Sequence, residues 1–129
     1  MTDGLRRVRT LLRYPFAALF IVVGISHFTQ KEGFLRIMPP AIPYPEQIVA
    51  VTGVIESGLG AMLLLPKTRK WAAWALIPTL IAVFPANIYA ALTAGTPNEA
   101  MPGVPPLLAW LRLPLQPLLV AWAWWYTRE

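Results

Sequence analysis

Four apolar runs of about twenty residues constrain the fold of this chain more than any other feature. They extend over about residues 8–28, 45–65, 71–92 and 105–126. A helix needs about 20 predominantly apolar residues to cross the hydrocarbon core of a bilayer. Only 13% of the residues are charged, whereas 57% are hydrophobic, which is unlike a soluble domain. The sequence therefore predicts an all-α integral membrane four-helix bundle, with residues 1–129 forming a single four-span domain.

The basic residues gather at one end of the predicted spans. Eight of them lie before or at the start of the first run, between the second and third runs, or after the fourth: Arg6, Arg7, Arg9, Arg13, Lys67, Arg69, Lys70 and Arg128. The only basic residues in the connection after the first run are Lys31 and Arg36. Because basic residues favour the cytoplasmic side of a membrane, this asymmetry predicts that both termini are cytoplasmic.

The net charge of +5 comes from basic residues at the ends of apolar runs, which is the pattern of a membrane protein. We therefore expect the lipid bilayer, and no nucleic acid, as a partner. The chain has no cysteine, which excludes thiol–disulfide chemistry and thiolate metal ligation by its own side chains. One histidine and one deep carboxylate do not assemble a preformed transition-metal site either. No metal site is therefore predicted.

Glu56 is the only charged residue between Ile48 and Leu65, in the second run. It lies ten residues below the predicted outer end of that run, roughly 15 Å deep at about 1.5 Å per residue. A carboxylate that faced lipid at this depth would cost at least about 2.5 kcal/mol. We therefore expect Glu56 to face the interior of the bundle, where Arg112 of the fourth run is a candidate partner.

Each of the other runs also places a polar side chain in the same half of the bilayer. Gln116 lies four residues after Arg112 and shares its helix face. The sequence therefore predicts a ligand-binding cluster of five residues that opens toward the outer leaflet: His27, Glu56, Asn87, Arg112 and Gln116.

These residues also allow purely structural interpretations. Glu56 and Arg112 could form a buried ion pair that fixes how the helices assemble. We expect His27 to be hydrogen-bonded to a backbone carbonyl and Asn87 to form an interhelical hydrogen bond. The structural and ligand-binding interpretations both stay open at this point.

The connection over residues 29–44 is rich in proline, yet it has four apolar side chains, Phe34, Leu35, Ile37 and Met38. A solvated loop has no need of them. We therefore expect this segment to lie against the outer membrane surface or to fold back over the bundle.

Several short motifs extend over about residues 17–92. They include GISHFT at 24–29, FLRIMPP at 34–40, GVIE at 53–56 and VFPANIY at 83–89. In this order the motifs resemble the DoxX-like family of small bacterial integral membrane proteins. The resemblance implies a four-helix bundle, a multi-pass location in the bacterial cytoplasmic (inner) membrane, and a redox or stress-related context.

Two hypotheses of function follow. In the first, the polar cluster binds a small amphipathic lipid-phase ligand such as a quinone, whose carbonyl oxygens need hydrogen-bond donors. No redox cofactor is encoded, so electron transfer would need a partner protein. In the second, the chain is a non-catalytic, chaperone-like membrane subunit that stabilises or matures a partner protein, or it forms a homo-oligomer. No nucleophile–base pair stands out, so the sequence assigns no enzymatic activity.

Overall fold

The computed structural model describes residues 2–97, 99 and 103–128. The described residues form five helices: α1 (Asp3–Thr29), α2 (Lys31–Arg36), α3 (Pro45–Leu63), α4 (Arg69–Thr93) and α5 (Pro106–Thr127). The all-α prediction is confirmed. α1 begins earlier than the apolar run because the Thr2 hydroxyl accepts a hydrogen bond from the Leu5 backbone N–H at 3.2 Å and caps the helix.

The predicted count of four spanning helices is wrong. Among the five helices of the described residues, three are long and apolar enough to cross a membrane, namely α1, α4 and α5. α3 is not one of them, because Glu46, Gln47 and Glu56 make its 19 residues less apolar than an uninterrupted span. Three candidate spans also remove the basis for placing both termini on the cytoplasmic side, which requires an even number of crossings.

α1 and α3 pack antiparallel with their backbones in close contact. A Cβ added at Gly24 of α1 would lie 2.5 Å from the backbone nitrogen of Ser57 in α3. At the other end of the contact, a Cβ at Gly60 would lie 2.9 Å from the Ala17 carbonyl oxygen. Glycine at both positions therefore sets the distance between these helices, as small residues do in membrane helix pairs.

The start of α1 meets the end of α5 in a densely packed core. Phe16 and Tyr126 are both fully buried there, with ring centroids 5.5 Å apart. The Tyr126 hydroxyl donates a hydrogen bond to the Arg9 carbonyl oxygen at 2.9 Å, which satisfies its polar tip. This core fills one end of the molecule, and Arg13 lies over its Tyr126 ring, whereas the candidate site residues lie toward the opposite end.

α2 and the turn that follows it fold back over that opposite end. Ile37 is buried in a small apolar cluster with Ala90 of α4. Tyr44 then adopts a left-handed conformation (φ 55°), and Pro45 starts α3 at a position where its missing N–H is not needed. The connection was expected either to lie against the membrane surface or to fold back over the bundle, and in the structure it folds back over the bundle.

Candidate functional site

A cavity of about 340 Å³ lies beneath this cover, between α1, α3, α4 and α5. Most of its wall is apolar, with Phe20, Val49 and Leu80 among the lining side chains. Leu19 and Leu115 also line it and are exposed on the outside of the molecule. The cavity therefore reaches the molecular surface through an apolar opening.

All five predicted site residues line this cavity. α1 contributes His27, α3 contributes Glu56, α4 contributes Asn87, and α5 contributes Arg112 and Gln116. The structure thus brings these five side chains together around one cavity. Their role in binding a ligand stays a prediction.

On the wall formed by α1 and α3, Glu56 is 4% exposed and lies beside His27, which is 6% exposed. The distance from His27 Nδ1 to Glu56 Oε2 is 4.0 Å, which is within ion-pair range but too long for a hydrogen bond. Glu56 Oε2 is buried without a hydrogen-bond partner among the described residues. A buried polar atom of this kind calls for an explanation, such as an ordered water, an ion or a ligand in the cavity.

The His27 ring is held at one nitrogen and against one face. Its Nδ1 lies 2.8 Å from the Val23 carbonyl oxygen, one turn earlier in α1. A carbonyl oxygen only accepts, so Nδ1 is the nitrogen that has the proton. The ring stacks on Phe34 of α2, with centroids 3.9 Å apart and planes inclined by 20°. The expected bond to a backbone carbonyl is confirmed, and it fixes the orientation of the ring.

On the wall formed by α4 and α5, three hydrogen bonds follow one another, all with the same donor-to-acceptor direction. Arg112 Nη2 donates to Asn87 Oδ1 at 3.3 Å, and Asn87 Nδ2 donates to Gln116 Oε1 at 3.3 Å. Gln116 Nε2 then donates to the Leu80 carbonyl oxygen at 2.8 Å. The interhelical hydrogen bond expected of Asn87 is confirmed, and each of the two amides has a partner.

The direct contact predicted between Glu56 and Arg112 is replaced by two separate ones. Glu56 Oε2 lies 4.0 Å from His27 Nδ1, whereas the Arg112 guanidinium donates to Asn87. The reason is helix adjacency. α5 packs antiparallel against α4, so the α4 side chain is the nearer neighbour of Arg112, while α3 faces α1. The acid and the guanidinium therefore stand on different walls of one cavity.

Three parts of the site are absent from the predicted set. Phe34 stacks on the imidazole, and Ile37 closes the cover against α4. The sequence signal for both is the group of apolar side chains in a proline-rich connection. The third part, the Val23 carbonyl, has no signal in the sequence because every residue has a carbonyl.

The fold and the cavity define an all-helical protein with three helices compatible with a membrane and an apolar pocket that has polar groups on two walls. A family model described as a domain of unknown function, DUF8561, matches residues 16–127. The chain belongs to this family. No curated protein and no solved structure matches it.

The resemblance to the DoxX-like family is wrong, since the matching family model is a different one. The motifs behind that resemblance are mostly glycine, proline and apolar residues. Helix packing in membranes favours small residues at helix contacts regardless of family. Gly24 and Gly53, for example, belong to the contact between α1 and α3.

Proposed function

We propose that this protein binds a small amphipathic molecule from the lipid phase, with its polar head group between Glu56 and Arg112. The observation behind this proposal is the buried Glu56 Oε2, which lacks a hydrogen-bond partner among the described residues and belongs to a side chain that lines an apolar cavity. An unsatisfied buried acceptor costs about 1–3 kcal/mol, and a ligand that donates to it recovers this free energy.

The size of the cavity supports a ring-sized head group. Its volume of about 340 Å³ is near the lower end of the range of small-molecule sites, roughly 300–1,000 Å³. A long hydrocarbon tail does not fit inside. It would leave past Leu115, which lines the cavity and is 53% exposed. A quinone-type ring with an apolar tail has this shape.

A membrane location belongs to the same proposal. Large apolar side chains such as Val22, Val54 and Leu118 face outward on different helices. Exposed apolar surface of this extent is rare in monomeric soluble proteins and normal for helices in lipid. The finer assignment, to the cytoplasmic membrane of a bacterium, is also part of the proposal. Fractionation of the host cell tests it, with recovery in the detergent-soluble membrane fraction as the expected result.

The alternative function, an accessory subunit, needs a contact surface for a partner, and the apolar side chains around Phe34–Met38 are the candidates for it. In the structure Phe34 packs against His27 and Ile37 packs against Ala90, so these side chains point inward. No specific observation on the described residues favours the accessory role over the binding site.

Binding is measured by quenching of tryptophan fluorescence during titration of the detergent-solubilised protein with short-tailed quinones and quinols. Glu56→Gln and Arg112→Leu are expected to weaken binding at least tenfold. Glu46→Gln is the matched control, because Glu46 lies in the first turn of the same helix, is exposed and lies outside the cavity. Equal affinity of all four proteins, or no saturable binding by the unmodified chain, would refute the proposal.

A further inference from the structure

The two walls of the cavity differ in hydrogen-bonding character. We propose that the site selects a head group with a hydroxyl donor, as in a quinol or another hydroxyaromatic molecule, over the fully oxidised quinone. This inference rests on the proposed function and specifies the chemical class of its ligand.

The wall formed by α1 and α3 offers acceptors. The proton on His27 Nδ1 is directed at the Val23 carbonyl oxygen, 2.8 Å away. In a neutral imidazole the other ring nitrogen, Nε2, is then an acceptor. Glu56 Oε2 has no hydrogen-bond partner among the described residues and lies 4.0 Å from the same ring. In its ionised form the carboxylate only accepts hydrogen bonds. A quinone carbonyl oxygen placed here would be repelled, because its lone pairs would face those of His27 Nε2 and Glu56 Oε2. A hydroxyl group would instead donate a hydrogen bond to one of these two atoms.

The wall formed by α4 and α5 offers a donor and a positive charge. The Asn87 amide donates one hydrogen bond to Gln116 Oε1, and the Gln116 amide donates one to the Leu80 carbonyl oxygen. Arg112 has five N–H donors and lines the same cavity. A ligand oxygen that lies beside the guanidinium is a suitable acceptor for it. Its charge also disfavours an ammonium group in the cavity, so a neutral hydroxyl fits better than an amine as the donor to Glu56.

A quinol satisfies both walls in one orientation. One hydroxyl donates to Glu56 Oε2, and the oxygen of the second hydroxyl accepts from Arg112. A quinone has two acceptors and no donor, so it satisfies the Arg112 wall only. Hydrogen bonds between a hydroxyl and a carboxylate are among the stronger ones in proteins. The reduced form is expected to bind about tenfold to a hundredfold tighter than the oxidised form.

The test uses two ligand pairs that differ in the hydroxyl donor. The first pair is naphthohydroquinone and naphthoquinone under anaerobic conditions. The second pair is 1-naphthol and its methyl ether, which keeps the ring, blocks the hydroxyl and involves no redox change. Dissociation constants are measured by titration of the detergent-solubilised full chain, with Glu56→Gln and Glu46→Gln as variants. Thermal unfolding of each variant confirms that it is folded.

The unmodified chain and Glu46→Gln are expected to prefer naphthohydroquinone and 1-naphthol by at least tenfold. Glu56→Gln is expected to lose this preference, because the glutamine amide both donates and accepts. Equal affinity for the members of each pair, or tighter binding of the oxidised form, would overturn the inference while the proposed function stands. Failure of all four ligands to bind would overturn both.

Discussion

Substitution of Glu56 by leucine distinguishes a binding site from a structural ion pair by the sign of its effect. Leucine is similar in size and removes a buried oxygen that has no hydrogen-bond partner among the described residues. The substitution also removes the charge beside His27, whose Nδ1 lies 4.0 Å from Glu56 Oε2, beyond hydrogen-bond distance. An unsatisfied buried acceptor costs about 1–3 kcal/mol. Without ligand, Glu56→Leu is therefore expected to raise the free energy of unfolding by about that amount and to abolish ligand binding.

The measurement is reversible unfolding of the ligand-free protein in mild detergent, titrated with a denaturing detergent. Glu46→Leu is the control, because its exposed ion pair with Lys31 at 3.6 Å is expected to contribute less than about 1 kcal/mol. Breaking a buried structural ion pair typically costs about 3–5 kcal/mol. A loss of stability of that size in Glu56→Leu would refute the argument, since it would mean that the carboxylate holds the helices together.

Three further substitutions test the packing around the site. Gly24→Ala is expected to lower the free energy of unfolding by about 1–3 kcal/mol, because its Cβ would overlap α3, whereas Gly58→Ala has nothing within 4 Å and serves as a neutral control in the same unfolding titration. Tyr126→Phe removes the hydrogen bond to the Arg9 carbonyl oxygen and the one that the hydroxyl accepts from Trp122 Nε1, so it is expected to cost about 1–3 kcal/mol without changing ligand affinity; weaker binding in a quinol titration would contradict the separation of the two ends. Phe34→Ala removes the ring stacked on the imidazole, so it is expected to weaken quinol binding several-fold, and unchanged affinity would show that the cover plays no part in the site.

The grouping of the polar side chains could be predicted from the sequence because a helix has a fixed rise per residue. Counting residues along each run predicts that Glu56, Asn87 and Arg112 meet, and all three line the same cavity. The cost of a charge in lipid then fixed which way the carboxylate turns. Both arguments need only the chain itself, and the structure agrees with them in the burial of Glu56.

The pairing of those side chains could not be predicted in the same way. Which cation approaches Glu56 depends on which helices are neighbours and how each is rotated, and neither quantity is present in a single run. α3 packs on α1, so the acid meets His27 and not Arg112. The error in the number of spans has a different origin, because it concerns the composition of one run. α3 has the length of a span, but its polar residues leave it short of the composition of one.

The sequence does not determine whether residues 29–44 lie on the membrane surface or cover the bundle, as α2 does in the structure. Six residues are too few for a helix that is stable by itself, so its position depends on the side chains that it packs against. Phe34 packs on His27, and Ile37 packs on Ala90 of α4, which is far away in sequence. Only the assembled fold determines this packing.

An experimental structure of the protein saturated with a short-tailed quinol tests the central claim most directly. The account predicts ligand density inside the cavity, with one ligand oxygen within hydrogen-bond distance of Glu56 Oε2 and the other near the Arg112 guanidinium. A cavity filled by protein side chains, or ligand density only on the outer surface of the helices, would contradict it.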